Sequence, residues 1–246
     1  DAAVTATEPG LVGGVEFGVV VGETGDGAFR TANAAAREGG TPWLAVELGG
    51  VGERGVEGVT AAVSGYAPET PCFECLRARV AANAERSRET SDVGSPDATD
   101  ARFAGALAGR AAARLLSGGE SAVLGGVLEL PHARHPLLPV PGCSCGTDPD
   151  RRVRRSYTER DVEGALARAE RALDPRTGIV HEAGEAESFP VPYYLATLAA
   201  TTGFSDAAVP EHAAGVATDW NPAFMKALGE ALERYAAGVY REESFR

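Results

Sequence analysis

The four cysteines of this 246-residue chain fall into two tight pairs, Cys72-x-x-Cys75 and Cys143-x-Cys145. Pro71 precedes the first pair, and the second lies between Pro141-Gly142 and Gly146, so both sit in turn-forming contexts. Two such knuckles can supply the tetrahedral corners that zinc requires. A fold that uses them must bring residues 72–75 and 143–145 together. Gly146 relieves the tighter second turn. A disulfide, a redox-active Cys-x-x-Cys and an iron–sulfur cluster draw on the same residue type, and stand as alternatives beside structural zinc, the leading reading. A closed site of four thiolates leaves no position for substrate, so the expected role of the metal is to hold the fold. His132 and His135 are near enough in sequence to be spare ligands, although surface histidines in a proline-rich loop are the simpler expectation.

Charge narrows the function classes. Lys and Arg total 23 against 35 Asp and Glu, a net charge of −12, which lacks the basic face that a general nucleic-acid binder needs. Nearly all the positive charge is arginine, with Lys226 the only lysine, while Ile179 is the only isoleucine and Met225 the only methionine. An acidic, lysine-poor surface suits a salt-rich cytoplasm, where the Debye length is about 3 Å at roughly 1 M salt and charge serves hydration. The chain reads as halophilic. No apolar run reaches the roughly 18 residues of a membrane span, and no secretory signal opens the chain, so the expected location is cytoplasmic. The chain starts at Asp1 and stops at Arg246 directly after a helical stretch, which reads as a fragment.

Along the chain, residues 15–21 are β-rich, Phe29 to Glu38 is helical, and Trp43 to Leu48 reads as a second strand. This order suggests a βαβ unit in a parallel sheet. Further expectations are a strand at Val59 to Tyr66, a helix at Cys75 to Arg88, and a polar loop at Ser91 to Asp100. A helix at Ala101 to Leu116 is closed by Ser117-Gly118-Gly119, and a strand follows at Ala122 to Leu130. The four prolines of Pro131 to Pro141 predict an irregular extended run. The polar stretch from Thr147 to Arg155 is the candidate domain boundary. Beyond it come a helix at Thr158 to Leu173, an extended stretch at Ser188 to Ala200 marked as an edge or strand start by Pro190 and Pro192, and a helix at Asn221 to Tyr240.

That last helix carries an apolar stripe, Phe224, Ala227, Leu228, Ala231, Leu232 and Tyr235, with Pro222 in its first turn and Asn221 or Asp219 as cap. Glu230 and Glu233 are i, i+3 neighbours on the opposite side. Two carboxylates so placed can share a divalent ion, and they can equally form a solvated face, with Glu230 pairing to Arg234 at i, i+4.

Two groups of motifs resemble known families. Gly215-x-Ala-x-Asp-x-x-x-Ala-x-x-x-Ala-Leu-x-Glu230-Ala-Leu-Glu233-Arg-Tyr235 resembles the first block of the YcaO family, and Asp174-Pro-Arg-Thr-Gly-Ile-Val180 looks like the opening of such a domain. Pro71-Cys72-Phe-Glu-Cys75-Leu-x-x-Arg79 and Pro141-Gly-Cys143-Ser-Cys145-Gly resemble the zinc knuckles of the E1/ThiF-like partner domain in azole-forming cyclodehydratases. The resemblance implies an α/β fold in two parts. Residues 1–150 would be an incomplete ThiF-like, Rossmann-related scaffold with a four-cysteine zinc site, lacking a Gly-x-Gly-x-x-Gly after its first strand. Residues 151–246 would be the N-terminal α+β part of a YcaO domain. It implies ATP-dependent cyclodehydration of Cys, Ser or Thr in a ribosomal precursor peptide to azolines, with a homodimer as the assembly. Glu230 and Glu233 would hold Mg2+ at the ATP phosphates, and the fragment alone would be inactive. Backbone thioamidation is the near alternative within the family. A non-catalytic, zinc-stabilised module that recruits a peptide to a separate enzyme is the alternative from another class.

Overall fold

Strand-forming segments rich in Val, Ala and aromatic residues alternate with alanine-rich helices, and the computed structural model resolves this pattern into eight strands and five α-helices among the described residues. These are residues 4–87, 97–131, 133–146, 159 and 161–245. The candidate boundary at 147–155, most of the polar loop before Asp97, and His132 lie outside them. The chain divides into two compact units, Asp1–Arg77 with Glu89–Pro139, and Ala78–Arg88 with Val140–Arg246.

The first unit is built on a five-stranded sheet in the order β1 (Gly18–Glu23), β2 (Trp43–Leu48), β3 (Ala61–Tyr66), β4 (Gly126–Leu130) and β5 (Ala133–Pro136). Helix α1 (Ala28–Gly39) connects β1 to β2, which run parallel, as the βαβ expectation requires. The rest of the sheet departs from it. β2–β3, β3–β4 and β4–β5 are antiparallel. The link from β2 to β3 contains no crossover helix, and the link from β4 to β5 is only two residues, so neighbouring strands must reverse. The proline-rich run is therefore partly ordered: Ala133–Pro136 pairs with β4.

Strand alternation gives the sheet two different faces. On one, Leu44, Val46, Ala61, Val63 and Leu130 pack against Ala104, Ala108 and Ala111 of α3 (Ala98–Leu116). The small side chains let that helix lie close to the sheet. On the other, Trp43 and Tyr66 stack at 4.9 Å between ring centroids and meet Phe73 at 6.1 and 6.0 Å, with Phe29 at 5.5 Å from Phe73. Helix α3 begins three residues earlier than its sequence suggests, because Asp97 accepts from the Thr99 and Asp100 amides at 2.6 and 2.8 Å. It ends in a Schellman motif, with Gly118 left-handed at φ +74 and the Gly119 amide donating to the Arg114 carbonyl at 2.8 Å.

The second unit holds a three-stranded antiparallel sheet, β6 (Val180–Glu187), β7 (Tyr193–Leu198) and β8 (His212–Val216), with β7 in the centre. Pro190 and Pro192 thus mark a strand start, as one of the two expectations had it, and not an edge, because β7 is central. The preceding helix, α4 (Val162–Ala169), is shorter than the sequence suggests, and Asp161 caps it through the Gly164 amide at 2.8 Å. Helix α5 (Trp220–Gly238) packs across all three strands. Its buried residues are Ala223, Ala227, Leu228, Ala231 and Tyr235, so the observed stripe includes Ala223 while Phe224 and Leu232 sit at its margins. Tyr194 of β7 meets the Phe224 ring at 5.2 Å and the Trp220 ring at 6.5 Å.

Candidate metal centre and ligand-binding helix

Helix α2 (Phe73–Ser87) begins between the first two cysteines, with the Cys75 and Leu76 amides donating to the Cys72 carbonyl at 3.0 and 3.3 Å. This turn places both thiols on one side of the helix start. The second pair is shaped by Gly142, left-handed at φ +79, and by the Cys143 amide donating to the Val140 carbonyl at 3.1 Å. The four Sγ atoms lie within 4.8 Å of one another, with Cys72 and Cys75 buried and Cys143 and Cys145 partly buried. Four thiolates around a tetrahedral zinc stand about 3.8 Å apart, given Zn–S bonds of about 2.3 Å. The cluster therefore fits a metal ion with a small contraction, and these four side chains could hold one. His135, a candidate spare ligand, is engaged elsewhere: its Nε2 lies 3.3 Å from Oε2 of the buried Glu129, and its side chain is largely covered. It is not the surface histidine its proline-rich surroundings suggest.

The neighbourhood of the first pair is buried and partly polar. The Tyr66 hydroxyl donates to Ser64 Oγ at 2.7 Å, and burial raises its pKa well above the ordinary range, with the charges of Glu47, Cys72 and Cys75 adding to the effect. Glu47 shares that sheet face and is fully buried. Desolvation raises its pKa to about 7, against the opposing pull of the Glu53 and Gly52 amides, which donate to its two carboxylate oxygens at 2.8 Å each. Glu53 has φ +64, the only positive value at a non-glycine among the described residues. Its amide is held by Glu47, and its carboxylate pairs with Arg77 at 2.6 Å and Arg30 at 3.0 Å. These contacts fix a backbone conformation that a glutamate rarely adopts.

In the second unit, Glu230 is partly exposed and Glu233 exposed on α5. Arg234 Nε donates to Glu230 Oε1 at 2.7 Å, while its Nη1 donates to the His212 carbonyl at 2.7 Å. The i, i+4 pairing that the sequence offers as the structural alternative is thus present. An ion held by Glu230 and Glu233 would share the first carboxylate with Arg234. Where α5 meets β8, Gly215 is needed for close approach: a Cβ there would overlap the Ala223 carbonyl oxygen and the Ala227 nitrogen. Asp174 folds the stretch before β6 by accepting from the Arg176 and Thr177 amides at 2.9 and 2.7 Å.

Other buried groups carry no sequence signature of their role. Arg79, fully buried on α2, lies over the rings of Phe204 and Tyr235 at 5.8 and 5.3 Å. Asn83, one turn on, donates to the Arg79 and Gly178 carbonyls and faces His181. Arg79 has a trace only as the last residue of the first knuckle motif, and Glu47 as a charge at an inward position in the apolar run Trp-Leu-Ala-Val-Glu-Leu.

No protein-family model and no curated protein matches the sequence. Solved structures do. A heterocyclase in complex with substrate and cofactor is similar over 93% of this chain and 36% of its own, at 17% identity and a TM-score of 0.63. The heterocyclase TruD is similar over 68% of this chain and 28% of its own, at 20% identity and a TM-score of 0.43. The first likeness shows a fold shared with part of that heterocyclase, and the chain spans 36% of its length. No helix among the described residues is long and apolar enough to cross a membrane.

Proposed function

We propose that this chain belongs to an ATP-dependent cyclodehydratase that converts Cys, Ser or Thr residues of a ribosomal precursor peptide to azolines. In this reading residues 1–150 are a ThiF-like scaffold and residues 151–246 the N-terminal part of a YcaO domain, in a cytoplasmic, salt-adapted homodimer. The observation that carries it is the heterocyclase fold, shared over 93% of the chain with a TM-score of 0.63. The motifs from Gly215 to Tyr235 and around the two cysteine pairs agree with it.

Cys72, Cys75, Cys143 and Cys145 would hold structural zinc, which adds folding free energy and no chemistry. Glu230 and Glu233 would bind Mg2+ at the phosphates of ATP, and Arg234 would orient the Glu230 carboxylate. Bound Mg–ATP would supply a phosphoryl group to the amide-derived oxygen, turning a poor leaving group into a good one. The chain's own contribution is to place α5 firmly on the sheet, through Gly215 and the buried alanines, so that both carboxylates project from a fixed surface.

The test is a precursor-type peptide with internal Cys residues, incubated with the whole protein and Mg–ATP. Loss of one water per residue, with one ADP formed, is the expected outcome. Peptide binding without nucleotide binding or mass loss would overturn the enzyme reading and favour the recruiting module.

A further inference from the structure

Strand β6 is an edge of the second sheet, and its register against β7 slips at its start. Val180 pairs with Leu198 and Glu182 with Thr197, so two steps on β6 match one on β7. His181 is the extra residue of this bulge. A bulge re-aims a side chain out of the regular alternation, and here it turns His181 toward α2, where its Nδ1 lies 3.1 Å from Asn83 Oδ1.

The orientation of Asn83 follows from its other contacts. Its amide nitrogen donates to the Arg79 carbonyl at 2.9 Å and the Gly178 carbonyl at 3.1 Å. Two carbonyl oxygens require the NH2 group on that side, which leaves Oδ1, an acceptor, facing the imidazole. Nδ1 of His181 must therefore carry the hydrogen. Asn83 is buried, so its end of this bond is shielded from water. In the neutral ring the proton is thereby fixed on Nδ1, and Nε2 presents a lone pair. Among the described residues no hydrogen bond or ion pair to Nε2 is present. The ring is partly exposed. The arrangement is a histidine held in one tautomer by a buried neutral partner, with its basic nitrogen available to a ligand.

We propose that His181 is the proton acceptor for the attacking side chain of the peptide substrate, with Asn83 as its positioning residue. The step rests on the cyclodehydratase reading. The peptide thiol or hydroxyl gives its proton to Nε2 as its sulfur or oxygen forms a bond to the preceding carbonyl carbon. The carbonyl π pair moves onto the oxygen, and the ring becomes an imidazolium that still donates from Nδ1 to Asn83. No further reactant is needed for this step. Peptide supply fits the location: Val180 is bridged to Leu173 on the side away from β7, and beyond it β6 is an edge strand that offers backbone groups to an extended chain. α5, with Glu230 and Glu233, packs on the same sheet.

His181→Asn separates this role from a structural one. An asparagine keeps a donor near the Nδ1 position for Asn83 and lacks the Nε2 lone pair. In the whole protein, given Mg–ATP and a synthetic peptide with one internal Cys, H181N is expected to lower the rate of azoline formation about 100-fold. ATP affinity and Tm should stay unchanged, and free imidazole should restore turnover to His181→Gly. Nitrogen-15 NMR of the 246-residue chain should show the Nδ1–H tautomer at His181, giving way to the ordinary mixture in Asn83→Ala. An Nε2–H tautomer in the wild type, or equal azoline rates in the wild type and H181N, would overturn this proposal alone. Absence of azoline from the wild type would overturn the function reading and this step with it.

Discussion

Glu47 shows how a single buried side chain sets a measurable property. Burial holds its pKa near 7 in the folded chain, against an ordinary value of 4.5. The folded state then binds a proton that the unfolded chain has already lost between these values. Its contribution to stability is fully present below pH 4.5 and is lost as pH rises to about 7. The span corresponds to about 3 kcal/mol. Urea unfolding from pH 4.5 to 7.5 should show this decline, and Glu47→Gln should flatten it; an unchanged slope would remove Glu47 as its source. The sequence exposes Glu47 as a charge among apolar neighbours but not the two amides that hold it. Those come from a loop that closes back on β2 through the left-handed Glu53, and no propensity scale places a glutamate there.

Local pattern is strongest for elements with their own start and stop signals. α3 is bounded by an aspartate cap and a glycine pair, and its end was legible, while its cap, Asp97, lies within a stretch that reads as polar loop. α5 was legible from its apolar period. β6 was not, because Val-His-Glu-Ala-Gly-Glu-Ala-Glu has one buried residue and the look of an exposed turn; only pairing with β7 makes it a strand. The antiparallel majority of the first sheet was hidden for a related reason, since strand direction is set by connections and not by composition. Gly215 tests how β8 and α5 meet. Gly215→Val should destabilise the chain by about 2 kcal/mol or more, because its side chain would meet helix backbone that cannot yield. A substitution within 0.5 kcal/mol of wild type in urea titrations would mean the helix stands off the strand.

For the whole molecule, the four cysteines are where sequence and structure agree most closely, since two local knuckles converge on one cluster that the residue types alone implied. Zinc bound there, as proposed, would contribute folding free energy, so purified chain should carry one equivalent, and a chelator should lower Tm by several degrees. Cys143→Ser should bind zinc more weakly and reproduce that loss. A chain without metal whose Tm is indifferent to chelator would exclude a structural centre. The carboxylates of α5 were legible as a pair, but Arg234 engages Glu230, so ligand binding decides their chemistry. Calorimetric titration of Mg–ATP into the chain decides it most directly. Saturable binding that weakens at least tenfold in Glu230→Ala/Glu233→Ala, with Tm preserved, is the expected result. Absence of binding, or equal affinity in the double variant, would contradict a nucleotide site on this helix.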